Sequence, residues 1–544
     1  MSFCRDDVYY IVQTEQGKLR GKESISGFDG KKYCSFLGIP YAKPPLGELR
    51  FQPPEDPLAW ENTYDATQEG KFCYQSPLLH LFSLHTGDED CLYLNIYTPK
   101  PPQEISTALP VMFFIHGGAF IAGCGIKRVF SPDYLMNKNI ILVTINYRLH
   151  VLGFLNLGIE QCPGNVGMKD QTFALQWVQK NIKNFGGDPN NVTIFGQSAG
   201  STSVQYHMIS PLSQGLFHKA IMQSGSVLSP WAFTKNPTEQ AFAIGRELLY
   251  EGDDRHELLD LLKRTPIREL VRAFEKMLKK DEPDSQFRFP NLSPSVEVIA
   301  EGAFLPDMPE KLLKLMKPIP VIYGQTDREG MMIHFGYQGN IVKKLGDSFP
   351  TLLKEYFNID TDLNPKTGYL VNKMYFRNEA ITEQHSNEIS DLFTDLYFYR
   401  FYEAIDLLMK SQMPPYVYLF SYEGSLNFST QLLRIVKPFA RLDEKGACHA
   451  DDLSYLFYYK KALLFRRKLK GDDLKVVNHI TTMWTNFAKY GDPSTEDIEW
   501  TPMTANQLQY LDITPEPKMR KGRIRQYMYD MLHRIIEPAR GSSE

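Results

Sequence analysis

Ser198 stands at the centre of Gly196-Gln197-Ser198-Ala199-Gly200, and the residues on either side suit it to nucleophilic attack. Val192-Thr-Ile-Phe195 reads as a buried strand before it and Ser201 to Met208 as a helix after it. That order predicts a sharp strand-to-helix turn with the hydroxyl pushed out at its apex. Glycine two residues to either side lets neighbouring backbone approach without a Cβ clash. The five-residue pattern alone recurs by chance in Gly/Ser-rich loops, and its placement between strand and helix is what gives it chemical meaning. The helix would aim its N-terminus and the Ala199 amide at negative charge developing beside Ser198. Upstream, Val111-Met-Phe-Phe-Ile115 runs into His116-Gly117-Gly118-Ala119-Phe120, a glycine-rich loop whose N–H groups could face an oxyanion.

A serine hydroxyl is a poor nucleophile until a base accepts its proton. An acid to orient that base should follow a later strand, and Val321-Ile-Tyr323 leads to both Asp327 and Glu329. Beyond them lie His334, His385, His449, His479 and His533. A lone histidine is most often structural, so residue type alone leaves the choice of base open.

These groups need a scaffold that can bring them together. Val111–Ile115, Ile140–Ile145, Val192–Phe195, Val321–Tyr323 and Val417–Phe420 read as short apolar strands covered on both faces. Phe173, Ala174, Trp177, Val178, Ile182 and Phe185 share one face of a helix that Gly186-Gly187 would end. Strand-like and helical patterns alternate, which predicts an α/β fold with a large, mostly parallel central sheet flanked by helices. Residues 235–315 are charge-rich and helical, an insertion over one end of the sheet. Near the C-terminus, Ile524, Tyr527, Met528, Met531, Leu532 and Ile535 form an apolar stripe after Lys518, Arg520, Lys521, Arg523 and Arg525. A docked terminal helix is the first reading of that stripe; a membrane-surface helix giving weak peripheral contact is the second.

With 544 residues, a length-based rule of about 150 per domain suggests three or four units. Ser198 and any of the downstream histidines must nevertheless meet, so one domain over residues 1–544 is expected instead. The net charge of −4 leaves no electrostatic footprint for nucleic acid. No run approaches the roughly 18 apolar residues of a transmembrane segment. Arg5, Asp6 and Asp7 interrupt any secretory signal, so a cytoplasmic protein is expected. The seven cysteines show no CxxC spacing, so a zinc cluster is not expected, and no other metal or cofactor is expected. The sequons at Asn191, Asn291 and Asn427 read as chance matches.

Tyr41-Ala-Lys-Pro-Pro-Leu-Gly47 with Leu49-Arg-Phe51, Glu89-Asp-Cys-Leu-Tyr-Leu-Asn95 and the whole of Phe185–Gly200 together resemble the type-B carboxylesterase and cholinesterase family of α/β hydrolases. The nearest likeness within it is to insect α-esterases, which are intracellular carboxylesterases. The resemblance implies an α/β-hydrolase fold with helical insertions over an active-site gorge. It selects Glu329, the residue before Gly330, as the acid, and His449, within Gly446-Ala-Cys-His-Ala-Asp-Asp-Leu453, as the base. Asp327 is then a solvated loop residue or helix cap. The resemblance also implies that Gly118, Ala119 and Ala199 donate the oxyanion amides and that Trp231 walls the acyl pocket. It implies a disulfide between Cys73 and Cys91, which a reducing compartment would leave open, and a structural ion pair between Arg50 and Glu89. The chain departs from the family at Ala119, where glycine is usual; if the site has positive φ, alanine there is strained.

The expected activity is hydrolysis of carboxylic esters of broad xenobiotic or lipid type, with organophosphates as inhibitors. The loop between Cys73 and Cys91 lacks the tryptophan that holds choline in cholinesterases, which disfavours that activity. Juvenile hormone esterases share GQSAG but usually follow the histidine with threonine, where this chain has Ala450. Organophosphate sequestration is another reading of the same serine. A reading of a different class is a catalytically silent, cholinesterase-like adhesion protein, and the retention of Ser198, Glu329 and His449 argues against it.

Overall fold

The computed structural model describes residues 8–75, 86–280, 292–298, 301–332, 365–410, 413–436, 445–459 and 471–540, with the isolated positions 345, 349, 352 and 353. Exposed and buried positions are interspersed along Tyr9–Thr14 (β1) and Gly17–Ile25 (β2), which pair as an antiparallel hairpin. Lys32–Pro40 (β3) extends it, and the short Tyr64–Asp65 (β4) lies beside β2. Tyr93–Thr98 (β5) joins this antiparallel portion to the rest.

All five strands expected from the sequence form. They are Leu109–Ile115 (β6), Ile141–Ile145 (β7), Gly187–Gln197 (β8) and, after Lys219–Gln223 (β9), Val321–Thr326 (β10) and Tyr416–Phe420 (β11). Gln509–Ile513 (β12) and Lys518–Lys521 (β13) complete a sheet of order β1-β2-β3-β5-β7-β6-β8-β9-β10-β11-β12-β13. Every neighbouring pair from β7 to β12 is parallel. The sheet is therefore mixed. Its centre is parallel as expected, and the main path is antiparallel at both margins, through β1, β2, β3 and β5 on one side and β13 on the other, with the short β4 lying parallel to β2.

Side chains alternate across a strand, and the sheet accordingly divides two cores. Val111, Phe113 and Ile115 of β6, with Ile141, Val143 and Ile145 of β7, enter one; Met112, Phe114 and Leu142 enter the other. Between β7 and β8 come His150–Phe154 (α1) and Val166–Asn181 (α2), which tightens through Ile182–Phe185 and stops at Gly186, φ +83°. Ala199–Ile209 (α3) follows β8. The charge-rich stretch holds Pro237–Glu247, Arg255–Arg264, Ile267–Lys280 and Pro309–Leu313, as expected.

Arg50 and Glu89 form the expected ion pair, with Arg50 Nε 2.7 Å from Glu89 Oε2. The same guanidinium donates to the carbonyls of Leu262, Lys263 and Thr265, so it also finishes the Arg255–Arg264 helix. At the C-terminus the docked helix is the arrangement found. Ile524, Leu532 and Ile536 are buried, and Arg523 and Arg525 are spent on Asp406, Asp391 and Asp395, while Tyr527 faces solvent. Asn427 is buried with its amide hydrogen-bonded, and Asn191 accepts from Lys219; Asn291 lies outside the described residues. No described helix is long and apolar enough to cross a membrane.

Candidate active site

Three parallel strands and their following loops assemble the site. β8 delivers Ser198 at φ +60°, ψ −125°, the strained geometry expected of a strand-to-helix apex. Its N–H donates to Gln223 O at the end of β9 (2.8 Å), and its carbonyl accepts from Thr202 as α3 begins. The glycines around it are sites of enforced contact. A Cβ on Gly200 would lie 2.1 Å from Ile115 O, one on Gly225 2.2 Å from Ser198 O, and one on Gly117 3.1 Å from Ser198 Cβ. The strand β6 loop and the nucleophile turn are thus in backbone contact. Gly225 packs directly behind the serine.

Glu329 follows β10 and is fully buried. His449 reaches it because the two loops zip together: Arg328 pairs with Cys448 in a parallel bridge, and Asp327 Oδ1 accepts from Ala447 N–H at 2.7 Å. Asp327 is therefore not a solvated residue; burial pushes its carboxyl up to about 6, and it ties the acid loop to the histidine loop. His449 Nδ1 lies 2.5 Å from Glu329 Oε2. The other carboxylate oxygen accepts from Ser224 Oγ (2.5 Å) and Thr326 N–H (2.9 Å). With every donor aimed at Glu329, the imidazole proton belongs on Nδ1 and leaves Nε2 as an acceptor.

In the resting structure that acceptor is met by the side-chain amide of Gln197, Nε2 to Nε2 3.0 Å, and Ser198 Oγ makes no hydrogen bond among the described residues. Ser198 is half-buried and one residue away. Hydrogen bonds to a nucleophile are often loose before substrate binds. Among the other candidate histidines, His385 accepts from the Thr382 N–H at a helix start, His479 is half-buried and His533 is exposed; His334 lies outside the described residues.

Among the described residues no group accepts from the N–H of Gly118, Ala119 or Ala199, so all three are available to a ligand. Ala119 has φ +54°, the strained conformation feared from the sequence, and Ala450 has φ +70°. Trp231 is buried with its ring centroid 6.4 Å from that of Phe120, next to Ala119. Cys73 and Cys91 are disulfide-bonded. Behind His449, Asp452 accepts from Gln223 Nε2 and Tyr418 OH, both at 2.8 Å, and burial raises its carboxyl. No cluster of described His, Cys, Asp and Glu side chains could hold a metal ion.

Sequence reasoning passed over Ser224, Gln197, His116 and Asp452. Gln197 was visible as the residue before Ser198, at the end of a strand whose alternation sends its side chain to one defined side. Ser224 carried no local signal.

A parallel-centred sheet with a serine at the apex after β8 and a Glu–His pair on later loops defines an α/β hydrolase. The Carboxylesterase family profile matches residues 9–531. Esterase FE4 of Myzus persicae is 34% identical over 515 residues, covering 92% of this chain and 88% of that protein. Juvenile hormone esterase of Tribolium castaneum is 34% identical over 524 residues, with 91% and 86% covered. The crystal structure of juvenile hormone esterase from Manduca sexta, with OTFP covalently attached, superposes with TM-score 0.85 at 32% identity and covers 97% of this chain and 99% of that one. The chain belongs to the carboxylesterase family and is a carboxylic ester hydrolase.

Proposed function

We propose that the chain hydrolyses carboxylic esters through an acyl-enzyme on Ser198, with His449 as base and Glu329 as the orienting acid. The observation that carries this reading is the His449 Nδ1–Glu329 contact beside the strained Ser198 turn. Substrate displaces the Gln197 amide from His449 Nε2. Ser198 Oγ then attacks the ester carbonyl while Nε2 takes its proton. The carbonyl oxygen becomes an oxyanion received by the N–H groups of Gly118, Ala119 and Ala199. Its collapse breaks the acyl–oxygen bond, and His449 gives its proton to the leaving alcohol. Water repeats the sequence and frees Ser198. Glu329 holds the imidazole tautomer and stabilises the imidazolium.

The substrate class proposed is small apolar xenobiotic or lipid esters, with a detoxifying role and inhibition by organophosphates; Trp231 and Phe120 beside the oxyanion loop support an apolar acyl site. Hydrolysis of juvenile hormone is a second reading, favoured by the likeness to the Tribolium castaneum and Manduca sexta enzymes. Rates on p-nitrophenyl esters of increasing chain length, beside juvenile hormone and with Ser198→Ala as control, separate the two. The whole chain acts as one domain, a reading supported by a sheet that draws strands from Tyr9 to Lys521. Cytoplasmic location remains a proposal that the bonded Cys73 and Cys91 pair weighs against; thiol labelling of the protein taken directly from cells tests it.

A further inference from the structure

The loop that carries Gly118 and Ala119 is held by two side chains, those of His116 and Gln75. His116 is buried, and its ring stacks on Tyr147 at 4.4 Å between centroids, 18° from parallel, while Tyr147 OH donates to His116 O (2.9 Å). Its Nδ1 lies 2.8 Å from Gly117 O, and its Nε2 is buried with no partner among the described residues. A carbonyl can only accept, so the single proton of the neutral ring sits on Nδ1. Burial keeps the ring neutral by pushing it down to about 4.

Gly117 C=O and Gly118 N–H belong to one planar peptide and point in opposite directions. Anchoring the carbonyl against the imidazole therefore turns the Gly118 N–H to the far side, where it donates to nothing within the described protein. The loop closes on itself at Gly123. A Cβ there would lie 2.3 Å from Gly117 O and 2.4 Å from His116 Nδ1, so Gly123 covers the same hydrogen bond. Gly123 is in turn gripped at both backbone groups by Gln75: its N–H donates to Oε1 (2.9 Å), and its carbonyl accepts from Nε2 (3.0 Å). Gln75 Nε2 also donates to the carbonyl of Cys73, half of the disulfide (3.1 Å).

We propose that His116 and Gln75 are positioning residues of the oxyanion hole. His116 fixes the peptide that presents the Gly118 N–H, and Gln75 locks Gly123 over it from the disulfide-bonded segment. The inference rests on the oxyanion assignment made above. Neither residue touches the reacting atoms; each acts through the backbone of the loop.

The test measures kcat and KM on p-nitrophenyl butyrate for the wild type, His116→Phe, His116→Asn and Gln75→Ala. It adds inhibition by an alkyl trifluoromethyl ketone and by the matching methyl ketone. The fluorinated ketone is attacked by the serine and forms an oxyanion, whereas the methyl ketone occupies the pocket without doing so. Removing a whole oxyanion donor costs about 10²–10³ in kcat, so a misdirected one should cost about 10–10². His116→Phe keeps the stacking on Tyr147 and should show that loss, with KM within about twofold. His116→Asn, which carries an amide N–H near the Nδ1 position, should recover most of it. Gln75→Ala, at a half-buried position, should lose on the order of tenfold and keeps the test alive if the His116 variants do not fold. Affinity for the trifluoromethyl ketone should fall in step with kcat, and that for the methyl ketone should hold. Unchanged kcat in folded His116→Phe or Gln75→Ala overturns the inference, as does an equal loss for both ketones. If the wild type ignores the trifluoromethyl ketone, or Ser198→Ala keeps its turnover, the oxyanion reading falls first and takes this inference with it.

Discussion

At the scale of residues, the site depends on a few side chains held in conformations they do not prefer. Ala119, at φ +54°, pays the left-handed penalty of about 1–2 kcal/mol that glycine escapes, partly offset because glycine loses more entropy on folding. Ala119→Gly is expected to keep or raise kcat and to leave the unfolding midpoint equal or higher; lost turnover in a folded variant would contradict the account. Gln197 caps the lone pair of His449, the proposed base. Replacing it by glutamate puts a negative charge beside the imidazole and favours its protonated form. The acid limb of the kcat/KM profile of Gln197→Glu should therefore move to higher pH, and an unmoved limb would show that Gln197 does not address His449. The proposed triad of Ser198, Glu329 and His449 could be drawn from sequence because the motifs around these residues are long and spaced. Ser224 and Asp452 could not, since a buried hydrogen-bond partner is chosen by tertiary approach and leaves no trace in its own neighbourhood.

At the scale of elements, the parallel centre of the sheet was legible and its antiparallel margins were not. β7 and β9 are each buried at all five positions, but only β7 is a continuous apolar run that announced itself; β9, Lys-Ala-Ile-Met-Gln, has polar residues at both ends. β1 and β2 mix exposed with buried positions, and β2 carries lysine, arginine and glutamate, which reads as surface until their pairing is known. Likewise, the contact between α3 and β6 rests on Gly200, which brings helix and strand backbones together and could be recognised only as half of a motif. A Cβ there would meet Ile115 O at 2.1 Å, a backbone atom that cannot swing aside. Gly200→Ala should cost about 1–3 kcal/mol or more of stability, read as a lowered thermal midpoint with activity lost in parallel. A midpoint equal to that of the wild type would mean that the close approach is not needed.

At the scale of the whole molecule, buried titratable groups set the pH range in which the fold survives. Burial pushes His116 to about 4 and His207 to about 3, below the value near 6.5 expected in the unfolded chain. Below pH 6.5 the unfolded chain takes up protons that the folded chain refuses, so this contribution to stability is complete above 6.5 and drains as pH falls. Asp327 and Asp451, raised to about 6 and about 7, act oppositely and lose their contribution as pH rises. His207 is held by Ser213 and Gln171 away from the site, so His207→Gln isolates one of these groups. Its melting temperature should fall less than that of the wild type between pH 7 and pH 5; an equal fall would contradict the assignment. Ser198 as the nucleophile is tested by intact-mass and peptide analysis after treatment with diethyl p-nitrophenyl phosphate. One diethylphosphoryl group is expected, located on Ser198 and gained in step with the loss of ester hydrolysis, together with an inactive Ser198→Ala variant that remains unlabelled. Inactivation with Ser198 unmodified, or full hydrolysis by Ser198→Ala, would contradict that role.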